Sequence, residues 1–211
     1  MSFSHRTNSK PCQSIIAPDG YRGVIILSCV ALGMLFFGRY YLAGLHLFLA
    51  GFVAFFFRNP KRVIPDMPQA VVSPADGKVV VIKPVQMEGI EEPYTQVSIF
   101  LSIFNVHINR SPLAGTVESV NYTPGKFKAA FEDKASSDNE HNTIVVQGDK
   151  YKVFVKQIAG LIARRIVCWI KPGDRLERGE RLGLIRFGSR VDLFLPTDKA
   201  QIKVKLGDKV Q

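Results

Sequence analysis

The chain has 211 residues, three cysteines and a formal charge of +10. The cysteines, Cys12, Cys29 and Cys168, are odd in number and far apart with no C-x-x-C spacing, which excludes a disulfide framework and a structural zinc site and suits a reducing compartment. So basic a balance points to nucleic acid or anionic lipid, and with no recognition-helix or RNA-binding signature present, the apolar N-terminal third decides for lipid.

That third holds two apolar runs, 24–38 and 40–57, separated by Arg39. At ~1.5 Å per residue each covers roughly 22–27 Å, a little short of a ~30 Å hydrocarbon core, so two spans and a re-entrant hairpin both stay open. The first run begins too far along the chain, and is followed too closely by the second, for a cleaved signal peptide. Arg6, Lys10 and Arg22 precede the pair and Arg58, Lys61 and Arg62 follow it, which puts both ends in the cytoplasm. Tyr21, Tyr40 and Tyr41 are placed as interfacial aromatics, and His46 as a tolerated side chain directed to the interface. A buried hairpin of a soluble protein is the competing reading, but the chain is too small to cover two such helices. Pro60, Pro65 and Pro68 then end helical structure. The expected organisation is residues 1–66 as tail, anchor hairpin and linker, and 67–211 as a catalytic domain.

From Ala70 the hydrophobic period changes to two. Short β-branched runs at 71–73, 78–82, 95–101, 115–122, 143–146, 151–158, 165–170, 181–187, 191–195 and 200–205 are bounded by Gly, Pro, Asp or Asn and read as strands. Only 161–165 and 128–135 invite a helical turn. The fold class is therefore mainly β, a compact barrel or sandwich-like domain after an α-helical hairpin. Residues 171–185 place two Gly-centred turns between short alternating strands, which resembles the hammerhead of biotinyl/lipoyl domains. The Asp198-Lys199-Ala200 triplet comes a strand too late to carry the modified lysine of those domains, and Gly188-Ser189 stands in the turn instead.

A Gly-Ser pair is ordinarily a turn. It becomes chemical if Ser189 Oγ can attack the Gly188 carbonyl, for which a glycine at the bend is an aid. The resulting ester would eliminate to dehydroalanine and hydrolyse to a new N-terminal pyruvoyl group. The hydroxyl needs a base, and the base an orienting carboxylate. Of the four histidines, His5, His46, His107 and His141, only His107 sits in a β-rich apolar context with polar neighbours, and Asp76 in Ser73-Pro-Ala-Asp-Gly-Lys78 is the best carboxylate. Each alone has a plainer reading, a half-buried histidine and an Asp-Gly turn.

Taken together, Pro74-Ala-Asp-Gly77, Phe104-Asn-Val-His-Ile-Asn-Arg110, Pro124-Gly-Lys-Phe127, Asn139-Glu-His-Asn142 and Phe187-Gly-Ser189 resemble the phosphatidylserine decarboxylases of the short prokaryotic type, in order and over essentially the whole chain. The resemblance implies self-cleavage at Gly188–Ser189 by Ser189, His107 and Asp76, giving a β chain 1–188 and an α chain 189–211 headed by a covalent pyruvoyl cofactor. It implies decarboxylation of phosphatidylserine to phosphatidylethanolamine through a Schiff base to that group, in phospholipid biosynthesis, at the cytoplasmic face of the cell membrane. No metal is expected. Lys126, Phe127 and His141 are candidate lipid contacts, and Lys61, Arg62, Lys128 and Phe131 could serve beside them. The expected partners are membrane phospholipids and the two chains of one precursor, not nucleic acid; a homodimer is left open. Phe104 stands where a longer branch of the family has a second histidine, so the acid that reprotonates the substrate is unassigned, with His107 serving twice and a bound water as the alternatives. The alternatives are a pyruvoyl decarboxylase of a soluble amino acid, and a membrane-tethered carrier or adaptor using Lys199.

Overall fold

The structure, a computed structural model, describes residues 4–5, 14–67, 69–125, 139–160, 165–186 and 188–211. The sequence-predicted contacts Lys126, Phe127, Lys128 and Phe131, the turn at 128–135 and most of that at 161–165 lie outside the described residues. The chain divides into two compact units, residues 10–61 and residues 62–211 together with 1–9.

The first unit is a helical hairpin of α1 (Pro18–Phe36) and α2 (Tyr40–Phe56). Helix α1 starts earlier than its apolar run because Pro18 is pre-set for the first turn and Asp19 favours the positive helix end. Its last turn closes through Gly38 N–H to Leu35 O (3.0 Å) and Arg39 N–H to Met34 O (2.8 Å), and α2 follows at once. Small residues are buried between the helices: Gly20, Ala31, Ala43 and Ala50. Ile25, Ile26, Leu32, Leu45 and Phe48 face outward and are exposed. A water-soluble pair has the opposite arrangement, whereas helices packed in lipid bury small residues and leave large apolar ones outside. His46 Nδ1 donates to Leu42 O within α2 (2.8 Å). By length and composition α1 can cross a membrane; α2, with 17 residues, is shorter.

The second unit is β. Four strands form one sheet in the order β1 (Ser4–His5), β8 (Ile166–Cys168), β10 (Arg181–Ile185), β4 (Ile108–Arg110). Eight form a second, curled into a half-barrel, in the order β12 (Lys209–Val210), β2 (Gly77–Val85), β3 (Tyr94–Leu101), β11 (Ser189–Pro196), β7 (Lys152–Ile158), β6 (His141–Gln147), β5 (Gly115–Thr123), β9 (Arg175–Leu176). The core lies between the sheets, with Ile99, Leu101, Val191, Leu193 and Leu195 from the larger meeting Ile166, Cys168, Leu182 and Ile185 from the smaller. The turns before and after β9 are closed by Asp174 Oδ2 and Glu180 Oε2, which accept from Lys171 N–H (2.9 Å) and Glu177 N–H (2.7 Å). Arg178 straps the linker down by donating to the carbonyls of Pro65 (2.7 Å), Ala70 (3.0 Å) and Met67.

Two predicted strands are absent. Residues 71–73 are tied by Val72 N–H to Pro112 O but join no ladder. Residues 200–205 alternate correctly and pack Ile202 on the core, yet β12 takes the sheet edge beside β2, so they have no partner. Periodicity reports a half-buried extended segment, not a neighbour to pair with. Strand β4 was not expected, because its Ile-Asn-Arg run is too short to show a period.

Burial in this core pushes the Cys168 thiol up to about 11. Cys168 should resist iodoacetamide at pH 8 in the folded protein and react after denaturation; peptide mapping that finds equal labelling in both states would contradict the packing described.

Candidate active site

The register of the larger sheet decides which side chains meet. Phe100 pairs with both Lys78 and Arg190, Arg190 with Ile158, and Ile158 with His141. Continuing one residue toward the strand ends gives a second row, Gly77, Leu101, Ser189, Ala159 and Glu140. Members of one row project to the same face and adjacent rows to opposite faces. Leu101 and Ala159 belong to the core, so the Ser189 row faces the interior and the Arg190 row faces away from it.

Ser189 opens β11 and is fully buried. Its Oγ makes no hydrogen bond among the described residues. A buried hydroxyl left so costs about 1–3 kcal/mol, which marks a strained or reactive position. Gly188 before it has φ +57°, in the left-handed region, with open space where a Cβ would stand. The bend is thus a backbone requirement and not one of room.

His107 is held by its backbone, its carbonyl accepting from Ile185 N–H (3.3 Å) as β4 begins to pair with β10. Two residues on, Asn109 Oδ1 accepts from Gln157 Nε2 (2.8 Å), and Gln157 Oε1 accepts from Asn142 Nδ2 (3.0 Å). Gln157 and Asn142 lie in the Val191 row, on the interior face. His107 and Asn109 share a face of the same extended segment, so the imidazole, 2% exposed, is turned to the same interior as Ser189. Its Nδ1 lies 3.0 Å from Asn105 O. A carbonyl only accepts, so Nδ1 carries the proton and, in the neutral ring, Nε2 is the basic nitrogen. Asn105 is itself pinned by its Oδ1, which accepts from Ser102 N–H (2.9 Å) and Oγ–H (2.7 Å).

Asp76 precedes Gly77, two strand spacings from Ser189 or about 10 Å across the sheet. Arg110 N–H donates to Pro74 O (2.9 Å) and so ties this turn to β4. The Asp76 carboxylate pairs with Arg62, whose Nη1 also donates to Gln211 Oε1 (3.3 Å). Arg110 also feels the Asp76 charge, although burial together with the positive charges of Arg181 and Arg62 lowers its guanidinium to about 10. Arg62 was read from the sequence as a headgroup contact, and the structure gives it this carboxylate. The three sequence-predicted residues thus come from three chain segments; the register puts Ser189 and His107 on one interior face, while the Asp76 carboxylate is engaged by Arg62 and the His107 Nδ1 by the Asn105 carbonyl.

His141 lies in the Arg190 row, on the face away from Ser189. Burial lowers its basicity, with Lys156 adding to this and the Asn139 carbonyl (2.7 Å from Nδ1) and Asp192 opposing it. On that face Arg190, 1% exposed, forms a two-pronged pair with Asp192 (Nε to Oδ1 2.8 Å, Nη2 to Oδ2 3.0 Å), and Gln96 Nε2 donates to Asp192 Oδ2 (3.1 Å). Sequence reasoning missed Asn105, Gln157 and Glu140. Only Asn105 had a local signal, its position two residues before the histidine. Phe104, at the tip of the turn before β4, is 64% exposed.

A buried serine hydroxyl after a left-handed glycine, with a buried histidine on the same interior face, is the one cluster of chemically capable side chains that the sequence and the fold both point to among the described residues. A family model described as phosphatidylserine decarboxylase matches residues 49–211. The phosphatidylserine decarboxylase proenzyme of Desulfotalea psychrophila is 50% identical over 167 residues, 78% of each chain. Those of Oleidesulfovibrio alaskensis and Syntrophus aciditrophicus are each 45% identical, over 92% of this chain and 89% of theirs, and over 94% of both, respectively. The chain belongs to the phosphatidylserine decarboxylase family and is an enzyme of the carboxy-lyase class. That membership leaves no ground for the carrier reading, and Lys199 is paired with Glu92 (2.6 Å).

A Cβ added at Gly77 would stand 2.2 Å from Phe100 O. Gly77→Ala should therefore push β2 from β3 beside Asp76 and destabilise the domain by about 1–3 kcal/mol. Urea unfolding in detergent checks this, and a midpoint unchanged from wild type would show the approach to be looser than described.

Proposed function

We propose that the chain decarboxylates phosphatidylserine to phosphatidylethanolamine, using a pyruvoyl group that it makes from Ser189. The observation that carries this is the buried Ser189 Oγ, without a hydrogen bond among the described residues, behind a glycine at φ +57°. His107 Nε2 takes the hydroxyl proton as Oγ attacks the Gly188 carbonyl carbon. The Gly188 C–N bond then breaks and leaves an ester. Removal of the Ser189 α-proton expels the Gly188 carboxylate and leaves dehydroalanine, and hydrolysis releases ammonia. The Asn105 carbonyl keeps Nδ1 protonated; Asp76, held by Arg62, is the proposed carboxylate of the set.

The group so made supplies a carbonyl that binds the substrate amine and an electron sink for the bond to CO₂. The substrate reading draws on the relatives' names and on the hairpin, whose outer surface is apolar. With Arg22 near the start of α1 and Arg58 and Lys61 after α2, the hairpin anchors the domain at the cytoplasmic face. Lys126 and Phe127 are the proposed contacts to headgroup and acyl chain. His141, with its lowered basicity, is a weaker partner for phosphate.

Intact mass tests the processing. Wild type should split into a large chain and one of about 2.6 kDa, the share of residues 189–211 in a 23.5 kDa protein. Ser189→Ala and His107→Ala should stay whole. A whole wild-type chain that still decarboxylates would sink the mechanism, and normal cleavage of His107→Ala would remove the base. Vesicles containing phosphatidylserine should release CO₂ and free serine should not; the reverse result would favour the soluble amino-acid reading.

A further inference from the structure

Glu140 has no part in the chemistry so far. It directly precedes β6 and is 6% exposed, unusual for a carboxylate without a cationic partner in its row. Ala159 N–H donates to Glu140 O (2.9 Å), and Asn139 Nδ2 donates to Ala159 O (2.8 Å), which fixes Glu140 opposite Ala159. The row is then Ser189, Ala159, Glu140, all on the interior face. The carboxyl direction agrees, for it receives hydrogen bonds from the Tyr122 hydroxyl and from the N–H of Ile166, which belongs to the opposing sheet. Between Ser189 and Glu140 this row holds only the methyl of Ala159. The α-carbons are about 10 Å apart, two strand spacings. A substrate joined through its amine at position 189 would lie on the interior face that Glu140 shares.

Burial raises the Glu140 carboxyl above the usual range, against the lowering effect of the Tyr122 and Ile166 hydrogen bonds. A carboxyl of this kind holds a proton to higher pH than an exposed one. Two neighbouring side chains do not qualify: Phe104 carries no proton to give and is exposed, and His141 faces the other side of the sheet.

We propose that Glu140 is the catalytic acid that delivers the proton to the substrate α-carbon after CO₂ has left. The inference rests on the preceding reading that position 189 becomes the pyruvoyl group. Loss of CO₂ leaves the bonding electron pair on the α-carbon; the Glu140 proton forms the new C–H bond, and the carboxylate takes a proton back from solvent. If the proton arrives instead at the former carbonyl carbon of the pyruvoyl group, the amine nitrogen stays with the protein. One water then releases the lipid as an aldehyde and leaves an alanyl end on the small chain, a dead enzyme.

The test is Glu140→Gln and Glu140→Asp in the full chain, with phosphatidylserine vesicles as substrate. The readouts are processing, turnover, and the ratio of alanyl to pyruvoyl small chain by mass. Glu140→Gln should process as wild type, lose about 10²–10⁴-fold in turnover, and gather alanyl chain with each round. Glu140→Asp, with its acid set back by one methylene, should process, turn over more slowly than wild type, and show an alanyl fraction between the two. Wild-type turnover in Glu140→Gln, or slow turnover in both variants with no rise in alanyl chain, would overturn the assignment. Failure of both variants to process would overturn it too, since the residue would then serve the precursor. An unprocessed wild type would instead refute the pyruvoyl reading beneath it.

Discussion

The pairing of β11 between β3 and β7 governs everything at the site. It turns Ser189 inward and Arg190 outward, and a slip of one residue would exchange them. The register is pinned on both faces. Inside, Val191, Leu193 and Leu195 enter the core; outside, Arg190 and Asp192 grip each other at the next position but one. Removing one partner of so buried a pair would cost about 3–5 kcal/mol. An ion pair here is a poor source of net stability, but it penalises a strand shifted by one residue, because that shift would drive both charges into the apolar core.

The interior face changes character along its length. Toward the far ends of the strands it is apolar. Toward Ser189 it carries His107, Asn109, Asn142, Gln157 and Glu140, all buried. Such groups are tolerated only with hydrogen-bond partners. The Asn142–Gln157–Asn109 chain joins the two sheets by side-chain amides and thereby sets the height at which β4, and with it His107, crosses the larger sheet. The imidazole is oriented at a second level by Asn105, whose carbonyl defines the tautomer.

Much of this was legible from residue types. Two apolar runs broken at Arg39 became two helices, and the switch to a period of two marked the β domain. Ser189, His107 and Asp76 each had a plainer reading alone, a turn, a half-buried histidine and an Asp-Gly turn, and it was the motifs taken together that singled them out as candidates. The rest depended on pairing, which local sequence does not encode. Residues 200–205 look like a strand but meet no free edge. Glu140 sits in a polar stretch beside His141, and only the register shows that the two neighbours point to opposite faces, one toward the serine and one away. Arg62 reads as one more cation of a basic linker until the fold brings Asp76 to it.

The position of β11 has a consequence for durability. It is an inner strand of the larger sheet, paired along its whole length with β3 and along most of it with β7. A break at 188–189 would leave it in place, but as a separate polypeptide. Unfolding would then release two chains, and refolding would need them to meet again, a second-order event with no linker to raise the local concentration. The precursor can search for its native state reversibly. The nicked protein would hold its shape as long as it never lets go, so its lifetime would be set by the rate of opening and not by an equilibrium.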